Sequence, residues 1–133
     1  YSVAEHSILM ARYIKDLGWN NEMALRALLH DAAEAYICDV VRPLKRYVVG
    51  YIEAERRIER VIEERFDLQD IWDISFIKDV DTSILYDEAR ALMRVDSIAW
   101  HEHLAPGLGV EIVGLAPVDA EREFLAMFEG LMR

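Results

Sequence analysis

Cysteine is nearly absent from this chain: Cys38 is the one cysteine among 133 residues. A single cysteine cannot form an internal disulfide, which excludes a disulfide-stapled secreted scaffold, and we expect its thiol to be buried. Basic residues are also few, since 15 Lys and Arg stand against 25 Asp and Glu and give a net charge of −10. Such a charge leaves little counterion release to drive binding to duplex phosphates. We therefore expect no nucleic-acid partner.

Long hydrophobic runs are missing as well. No apolar stretch approaches the roughly 18 residues that a transmembrane helix needs, and no signal-peptide pattern opens the chain. We expect a cytoplasmic protein with no membrane partner. The hydrophobic content of 53% supports a packed core, and the length suits one domain over residues 1–133. We also expect that an N-terminal segment precedes Tyr1 in the full protein.

Period-2 alternation is scarce, which predicts an all-α fold, a compact bundle of about five to six helices. The pattern predicts helices from Ser2 to about Leu17, from Met23 to about Tyr36, from Tyr51 to Phe66, from Ile74 to about Val95 and from Asp119 to Met132. Pro43 predicts irregular backbone over residues 38–45, and glycines with prolines predict a loop over residues 105–117.

Several polar residues predict the ends of these helices. Ser2 and Glu5 have the spacing of a capping box, in which each side chain satisfies a backbone donor of the first turn. Gly18 predicts the stop of the first helix. Asn20 or Asn21 is expected to cap the second helix, and Asp119 the last one.

Ionisable residues fall on the apolar faces of three helices. The apolar stripes run through Val3, Met10, Tyr13 and Leu17, then through Ala24, Ala27, Leu28 and Ala35, and later through Ile77, Ile84, Leu85 and Leu92. The ionisable residues on or beside these stripes are His6, then His30, Asp31 and Glu34, and later Asp81 and Glu88. We expect these side chains to face the interior.

Buried carboxylates need cations, hydrogen-bond donors or a metal, because burying an unpaired charge costs several kcal/mol. Two imidazoles and two carboxylates suit a divalent ion such as Mn, Co, Zn or Fe. Ion pairs with Arg12 or Arg26 are the competing explanation for Asp31, and an ordinary core histidine is the competing explanation for His6. At this point the residues alone leave these alternatives open.

The order His6, His30-Asp31, Asp81 resembles the H…HD…D signature of the HD-domain metal-dependent phosphohydrolases. The segments Tyr1 to Ser7, Ala27 to Tyr36 and Ile77 to Asp81, with Asp39 and the run Arg42-Pro43-Leu44-Lys45, are similar to the branch that contains bacterial 5′-deoxynucleotidases and phage deoxynucleoside triphosphate hydrolases. The resemblance spans roughly residues 1 to 95. Phosphate-binding residues known upstream in that branch have no counterpart here.

The resemblance implies a helical HD domain in which His6, His30, Asp31 and Asp81 hold one divalent metal ion, with Mg as a further possibility. It implies that Glu34 and Asp39 assist catalysis by a metal-activated water. No histidine lies between Asp31 and Asp81, whereas dinuclear relatives need extra histidines there, so one ion is expected.

Lys45 and Lys78 are candidates for binding phosphate, with a solvated surface lysine as the alternative for each. The expected substrates are nucleotides, most of all deoxynucleoside 5′-mono- or triphosphates. Two alternatives remain open: a hydrolase of another phosphate ester such as an alarmone, and a non-catalytic module that a metal stabilises.

Large apolar residues are concentrated near the end of the chain. They are Trp100, Phe124, Leu125, Phe128, Leu131 and Met132. One small helical core has difficulty covering so many, so we expect some of them to meet a second subunit in a homodimer or a higher homo-oligomer.

Overall fold

The computed structural model describes residues 1–68, 74–93 and 106–133 of the chain. Every regular element in these ranges is a helix, which confirms the all-α prediction. The helices are α1 (Val3–Asp16), α2 (Asn21–Leu28), α3 (Glu34–Ile37), α4 (Arg42–Lys45), α5 (Tyr51–Phe66), α6 (Ile74–Leu92) and α7 (Pro117–Leu131). These seven exceed the expected five to six because α3 and α4 are short helices that the sequence pattern did not separate.

Helix α1 lies at the centre of the fold and packs against α2, α6 and α7. One apolar cluster joins α1 and α2 to α6, and it consists of Met10, Ile14, Met23, Ala24, Ala27, Ile77, Val80 and Ile84. A second cluster joins α1 and α2 to the end of α5, and it consists of Ile8, Ala11, Leu25, Leu28 and Leu68. Because apolar contacts surround α1, its buried polar groups must find partners within the protein.

Helix α7 covers the second cluster. Its Phe124 and Phe128 pack against that cluster, and the ring of Phe128 meets the ring of Phe66 edge to face with centroids 5.3 Å apart. Leu125 and Met132 remain about half exposed. Packing within the chain therefore accounts for part of the apolar C-terminal end, and Trp100 lies outside the described residues.

The predicted capping box forms on one side only. The Ser2 side chain accepts a hydrogen bond from the Glu5 backbone N–H and so caps α1. The Glu5 side chain does not reach back, because its carboxylate is engaged elsewhere. Gly18, at a φ of +86°, follows the end of α1 as predicted, and Asn20 rather than Asn21 caps α2.

Two carboxylates hold the irregular segment over residues 106–116 by its backbone. Glu5, only 2% exposed, accepts hydrogen bonds from the N–H groups of Val113, Gly114 and Leu115 at 2.7 to 3.1 Å. Asp87 on α6 accepts from the N–H groups of Leu108 and Gly109 at 2.7 and 3.1 Å. The predicted loop is confirmed, and it is fastened to α1 and α6 ahead of α7.

The second predicted helix was wrong in its extent, because α2 ends at Leu28 rather than near Tyr36. Turns occupy residues 29–33, where backbone bonds such as Ala32 N–H to Leu29 C=O span three residues instead of four. The His30 ring Nδ1 donates to the Ala27 carbonyl at 2.8 Å. In a continuing helix that carbonyl would bind the Asp31 N–H, whereas here it accepts from the His30 ring and, at 3.5 Å, from the His30 backbone N–H.

The starts of two helices that contain proline in their first turn were also predicted wrongly. Residues Arg42–Lys45 form the short helix α4 because Pro43 stands in its first turn, where a missing N–H costs nothing. For the same reason α7 begins at Pro117 with Ala116 as its N-cap, so Asp119 is not the cap. Asp119 instead pairs with Arg122 at 2.6 Å.

The interior face differs from the predicted stripe at the helix ends. Val3 and Leu17 are more than half exposed, and the buried face of α1 runs instead through Glu5 to Ile8, Met10, Ala11 and Ile14. Ala35 and Leu92 are exposed as well. Cys38 is exposed rather than buried, at a positive φ of 62° after α3. No described helix is long and apolar enough to cross a membrane.

Replacing Glu5 should test how much the fastened segment contributes to stability. We expect Glu5→Gln to lower the free energy of unfolding by about 2 kcal/mol, because three hydrogen bonds to a charged acceptor lose that charge. Urea unfolding followed by circular dichroism measures the change. Glu121→Gln, at an exposed position of α7, is the matched control. A loss below about 0.5 kcal/mol for Glu5→Gln would contradict the prediction.

Candidate metal centre

Three separate elements bring His6, His30 and Asp81 together. His6 comes from the first turns of α1, His30 from the turn after α2, and Asp81 from the middle of α6. The Nε2 atoms of the two imidazoles are 3.3 Å apart. Asp81 Oδ1 lies 3.4 Å from His6 Nε2 and 3.8 Å from His30 Nε2. One nitrogen or oxygen atom from each residue lies within 4.8 Å of the others, which is the arrangement of a metal-binding triad.

Both imidazoles are fixed through their other nitrogen. His6 Nδ1 lies 2.6 Å from Glu88 Oε1, and His30 Nδ1 lies 2.8 Å from the Ala27 carbonyl oxygen. Since a carbonyl only accepts, His30 Nδ1 must carry its hydrogen. The neutral tautomer then leaves a lone pair on Nε2, directed at the shared centre. Histidine ligands of metals are commonly oriented in this way.

When both imidazoles are neutral and carry their hydrogen on Nδ1, this geometry concentrates acceptors with no donor between them. Two Nε2 lone pairs and the Asp81 carboxylate oxygen repel one another unless a positive charge lies among them. Burial lowers the pKa of His6, but hydrogen bonds with Asp81 and Glu88 outweigh burial and raise that pKa to about 9. In the absence of an ion, a proton on His6 thus supplies the positive charge. The donor set of two imidazoles and a carboxylate fits a divalent metal ion.

Asp31 is attached to the same centre through His30. Its Oδ2 lies 3.1 Å from His30 Nε2, although its carboxylate is not among the three groups that share the 4.8 Å limit. Burial raises the pKa of Asp31, but the hydrogen bond with His30 and the charges of His30, His6 and Lys45 together outweigh burial, so the pKa is lowered. The competing ion pairs do not form: Arg12 pairs with Glu123, and Arg26 pairs with Glu63.

The two carboxylates expected to assist catalysis lie around Lys45. Glu34 Oε1 and Asp39 Oδ1 are 3.9 and 4.0 Å from the Lys45 Nζ atom, which binds Glu55 more closely, at 2.8 Å. Burial, the charges of Asp31 and Asp39 and a hydrogen bond with Asp39 raise the pKa of Glu34 to about 7. The Lys45 charge is therefore largely engaged by carboxylates.

A cavity of about 810 Å³ opens onto this cluster. Its lining includes His30, Asp31, Glu34, Lys45, Lys78 and Asp81. Lys78 is exposed at the cavity wall. Asp39 does not line the cavity and its side chain is 57% exposed. The structure thus brings most of the predicted residues to one cavity and leaves Asp39 at its margin.

Two groups of functional residues had not been assigned a role from the sequence. Glu88 fixes His6, and the Tyr1 hydroxyl donates to the same Glu88 oxygen at 2.8 Å. The i, i+7 spacing of Asp81 and Glu88 on α6 is the signal that could have revealed it. One face of α5 also lines the cavity through Ile52, Glu55, Arg56, Glu59, Ile62 and Glu63, a set with clear helical periodicity.

The chain has relatives along nearly its whole length. It is 33% identical over 133 residues to the uncharacterized protein YfdR of Escherichia coli, covering 98% of this chain and 71% of YfdR. It is 38% identical over 71 residues to the uncharacterized protein RCAP_rcc00048 of Rhodobacter capsulatus, covering 51% of this chain and 36% of that protein. No protein-family model and no solved structure matches the chain. Neither relative's name states an activity.

Glu88→Gln should weaken metal binding without unfolding the protein. An amide attracts the Nδ1 hydrogen of His6 less than a carboxylate does, so Nε2 becomes a poorer and less well oriented donor. We expect about a tenfold to hundredfold loss of affinity for Mn²⁺, measured by calorimetric titration. Asp79→Asn, at an exposed position of the same helix, is the control. Equal affinity in Glu88→Gln and the parent would refute the role of Glu88.

Proposed function

The chain belongs to the same family as YfdR of Escherichia coli, and from the geometry of the centre we propose that it is a metal-dependent phosphohydrolase. Its proposed substrates are nucleotides, most of all deoxynucleoside 5′-mono- or triphosphates. One divalent ion, drawn from Mn, Co, Zn, Fe and Mg, is its proposed cofactor. The observation that carries the proposal is the convergence of His6, His30 and Asp81 at the end of an open cavity.

Each residue of the centre has a defined task in this proposal. His6 and His30 hold the ion through Nε2, while Asp81 and Asp31 hold it through carboxylate oxygens. The bound ion supplies a Lewis acid that offsets phosphoryl charge and makes a nearby water more acidic. Glu88 and the Ala27 carbonyl keep the two imidazoles in the required tautomer.

Glu34 has the position expected of a group that orients a water and accepts its proton. Its side chain is 19% exposed and borders the cavity beside Asp31. The Asp39 charge helps to raise the pKa of Glu34, and in this proposal Asp39 assists Glu34. A metal that only stabilised the fold would need neither carboxylate, so their presence favours an enzyme over a non-catalytic module.

Phosphate attack also needs cations that hold the substrate's oxygens. Lys78 is exposed at the cavity wall, and in the described residues no ion pair with it occurs. Lys45 is bound by Glu55 at 2.8 Å and would first have to exchange that partner. We therefore assign phosphate binding to Lys78 ahead of Lys45.

The proposed enzyme acts in the cytoplasm.

The test is phosphate release from deoxy- and ribonucleoside mono- and triphosphates, with Mn, Co, Zn and Mg compared. We expect Glu34→Ala to retain the ion and lower turnover by about two orders of magnitude, as loss of a positioned acid or base commonly does. Exposed Glu22→Ala is the matched control and should keep full turnover. The variant with His6, His30, Asp31 and Asp81 all replaced by alanine should lose both the ion and the activity.

Two results would overturn the proposal in different ways. If the variant with all four residues replaced by alanine binds as much metal as the parent, the assignment of these residues as ligands is refuted. A metal-loaded parent that releases no phosphate from any nucleotide would leave a metal site without the proposed reaction. Loss of the ion from Glu34→Ala would instead make Glu34 a ligand.

Self-association stays a prediction of this proposal. Leu125 and Met132 are half exposed on α7, whereas Phe124 and Phe128 are engaged within the chain. We expect a homodimer or larger assembly, and light scattering at moderate salt measures its mass. A mass near 15.4 kDa across micromolar concentrations would contradict the expectation.

A further inference from the structure

A second pocket of about 580 Å³ adjoins the candidate catalytic cavity. It lies between the connection from α4 to α5 and one face of α5. Its walls include the aliphatic side chains of Val48, Val49 and Ile52. The two cavities are adjacent, and six residues line both of them: Lys45, Arg46, Ile52, Arg56, Glu59 and Glu63.

Three of the seven charged residues that line this second pocket are paired: Lys45, Glu53 and Glu63. The pairs are Lys45 with Glu55 at 2.8 Å, Glu53 with Arg57 at 2.5 Å, and Glu63 with Arg26. These pairs neutralise both lysine and carboxylate groups at the pocket walls. They therefore contribute little net attraction for a charged ligand.

Three arginines of the pocket walls have no ion pair with a carboxylate among the described residues: Arg46, Arg56 and Arg60. Arg56 and Arg60 are one turn apart on α5, and Arg60 Nε donates to the Arg56 carbonyl oxygen at 3.3 Å. The Arg46 guanidinium lies 4.8 Å from the centroid of the Tyr47 ring. Glu59 is the one carboxylate of the pocket walls without an ion pair among the described residues. Positive charge thus exceeds negative charge here, in a chain whose net charge is −10.

Guanidinium groups suit phosphoryl oxygens, because their planar set of donors matches two oxygens at once. On an exposed helix face, arginines can pair with carboxylates one turn away, as Arg57 pairs with Glu53. Arg56 and Arg60 do not follow that pattern. The aliphatic walls beside them offer contact to the rest of a nucleotide.

We propose that Arg46, Arg56 and Arg60 form a second anion subsite, which binds a phosphoryl group of the nucleotide other than the group held at the metal centre. The identity of the ligand as a nucleotide rests on the proposed function. The second phosphoryl group has two possible sources with the same chemistry: the remainder of a 5′-triphosphate chain or a phosphate on the 3′ position. A substrate with only one phosphate leaves the subsite unused.

Binding to the metal-loaded full chain tests the subsite. The probes are 2′-deoxyadenosine 5′-monophosphate, its 5′-triphosphate and its 3′,5′-bisphosphate, each titrated calorimetrically. We expect at least one of the two larger anions to bind more tightly than the monophosphate. In Arg56→Gln/Arg60→Gln that anion should bind about tenfold more weakly, while the monophosphate changes less than twofold.

A matched double variant separates the subsite from a general change in charge. Arg65→Gln/Arg122→Gln removes the same charge at exposed positions outside the pocket and should bind all three probes like the parent. Arg46 lies outside α5, so Arg46→Gln gives an independent measurement should the double variant perturb that helix. We expect Arg46→Gln to weaken binding of the same probe.

The outcomes distinguish this inference from the proposed function. Equal affinity of the parent for all three probes, or equal losses for all three in Arg56→Gln/Arg60→Gln, would overturn the subsite even if the chain hydrolyses nucleotides. A selective loss of affinity for the triphosphate or for the bisphosphate would support the subsite and identify which of the two sources supplies the second phosphoryl group. The same selective loss without any phosphate release would support the subsite and refute the reaction.

Discussion

The burial of one face of α1 is the constraint on which the rest of the structure depends. A helix enclosed by α2, α6 and α7 cannot leave polar side chains unpartnered, yet its sequence carries Glu5 and His6 at buried positions. Glu5 obtains partners from the backbone of the segment before α7. His6 obtains them from α6 and from the turn after α2. The contacts of Glu5 thus fasten the segment before α7, and the contacts of the adjacent His6 bring together the residues of the metal centre.

Contacts around the metal centre orient the side chains within it. Glu88 and the Ala27 carbonyl each hold one imidazole by Nδ1, so the orientation of both Nε2 atoms follows from contacts beyond the cluster. The carbonyl that directs the His30 ring belongs to the last turn of α2, so the end of this helix supplies the contact that orients the imidazole.

How much could be predicted depended on whether a feature is local or distant in sequence. Helical periodicity was enough to place His6 on the buried face and to give α5 its bounds from Tyr51 to Phe66. The break after Leu28 and the partners of Glu5 were missed, since each depends on a contact that periodicity does not encode. Glu88 lay on the predicted stripe, but only the folded chain shows its oxygen beside the His6 ring. The catalytic roles of Glu34 and Asp39 rest on the family resemblance and on the proposed function.

The segment before α7 is held by five amide hydrogens that bind Glu5 and Asp87, and by Leu108 and Val110, which pack against the apolar cluster of α1, α2 and α6. The amide contacts have a consequence for sequence variation. Every amino acid except proline supplies a backbone N–H, so most substitutions over residues 108–115 retain the donors that Glu5 and Asp87 bind. The positive φ of Gly109 and Gly114 limits that freedom at two positions. The carboxylates that bind this backbone belong to α1 and α6, whereas Leu108 and Val110 also have apolar contacts to keep, so we expect sequence variation chiefly at the other positions of the segment.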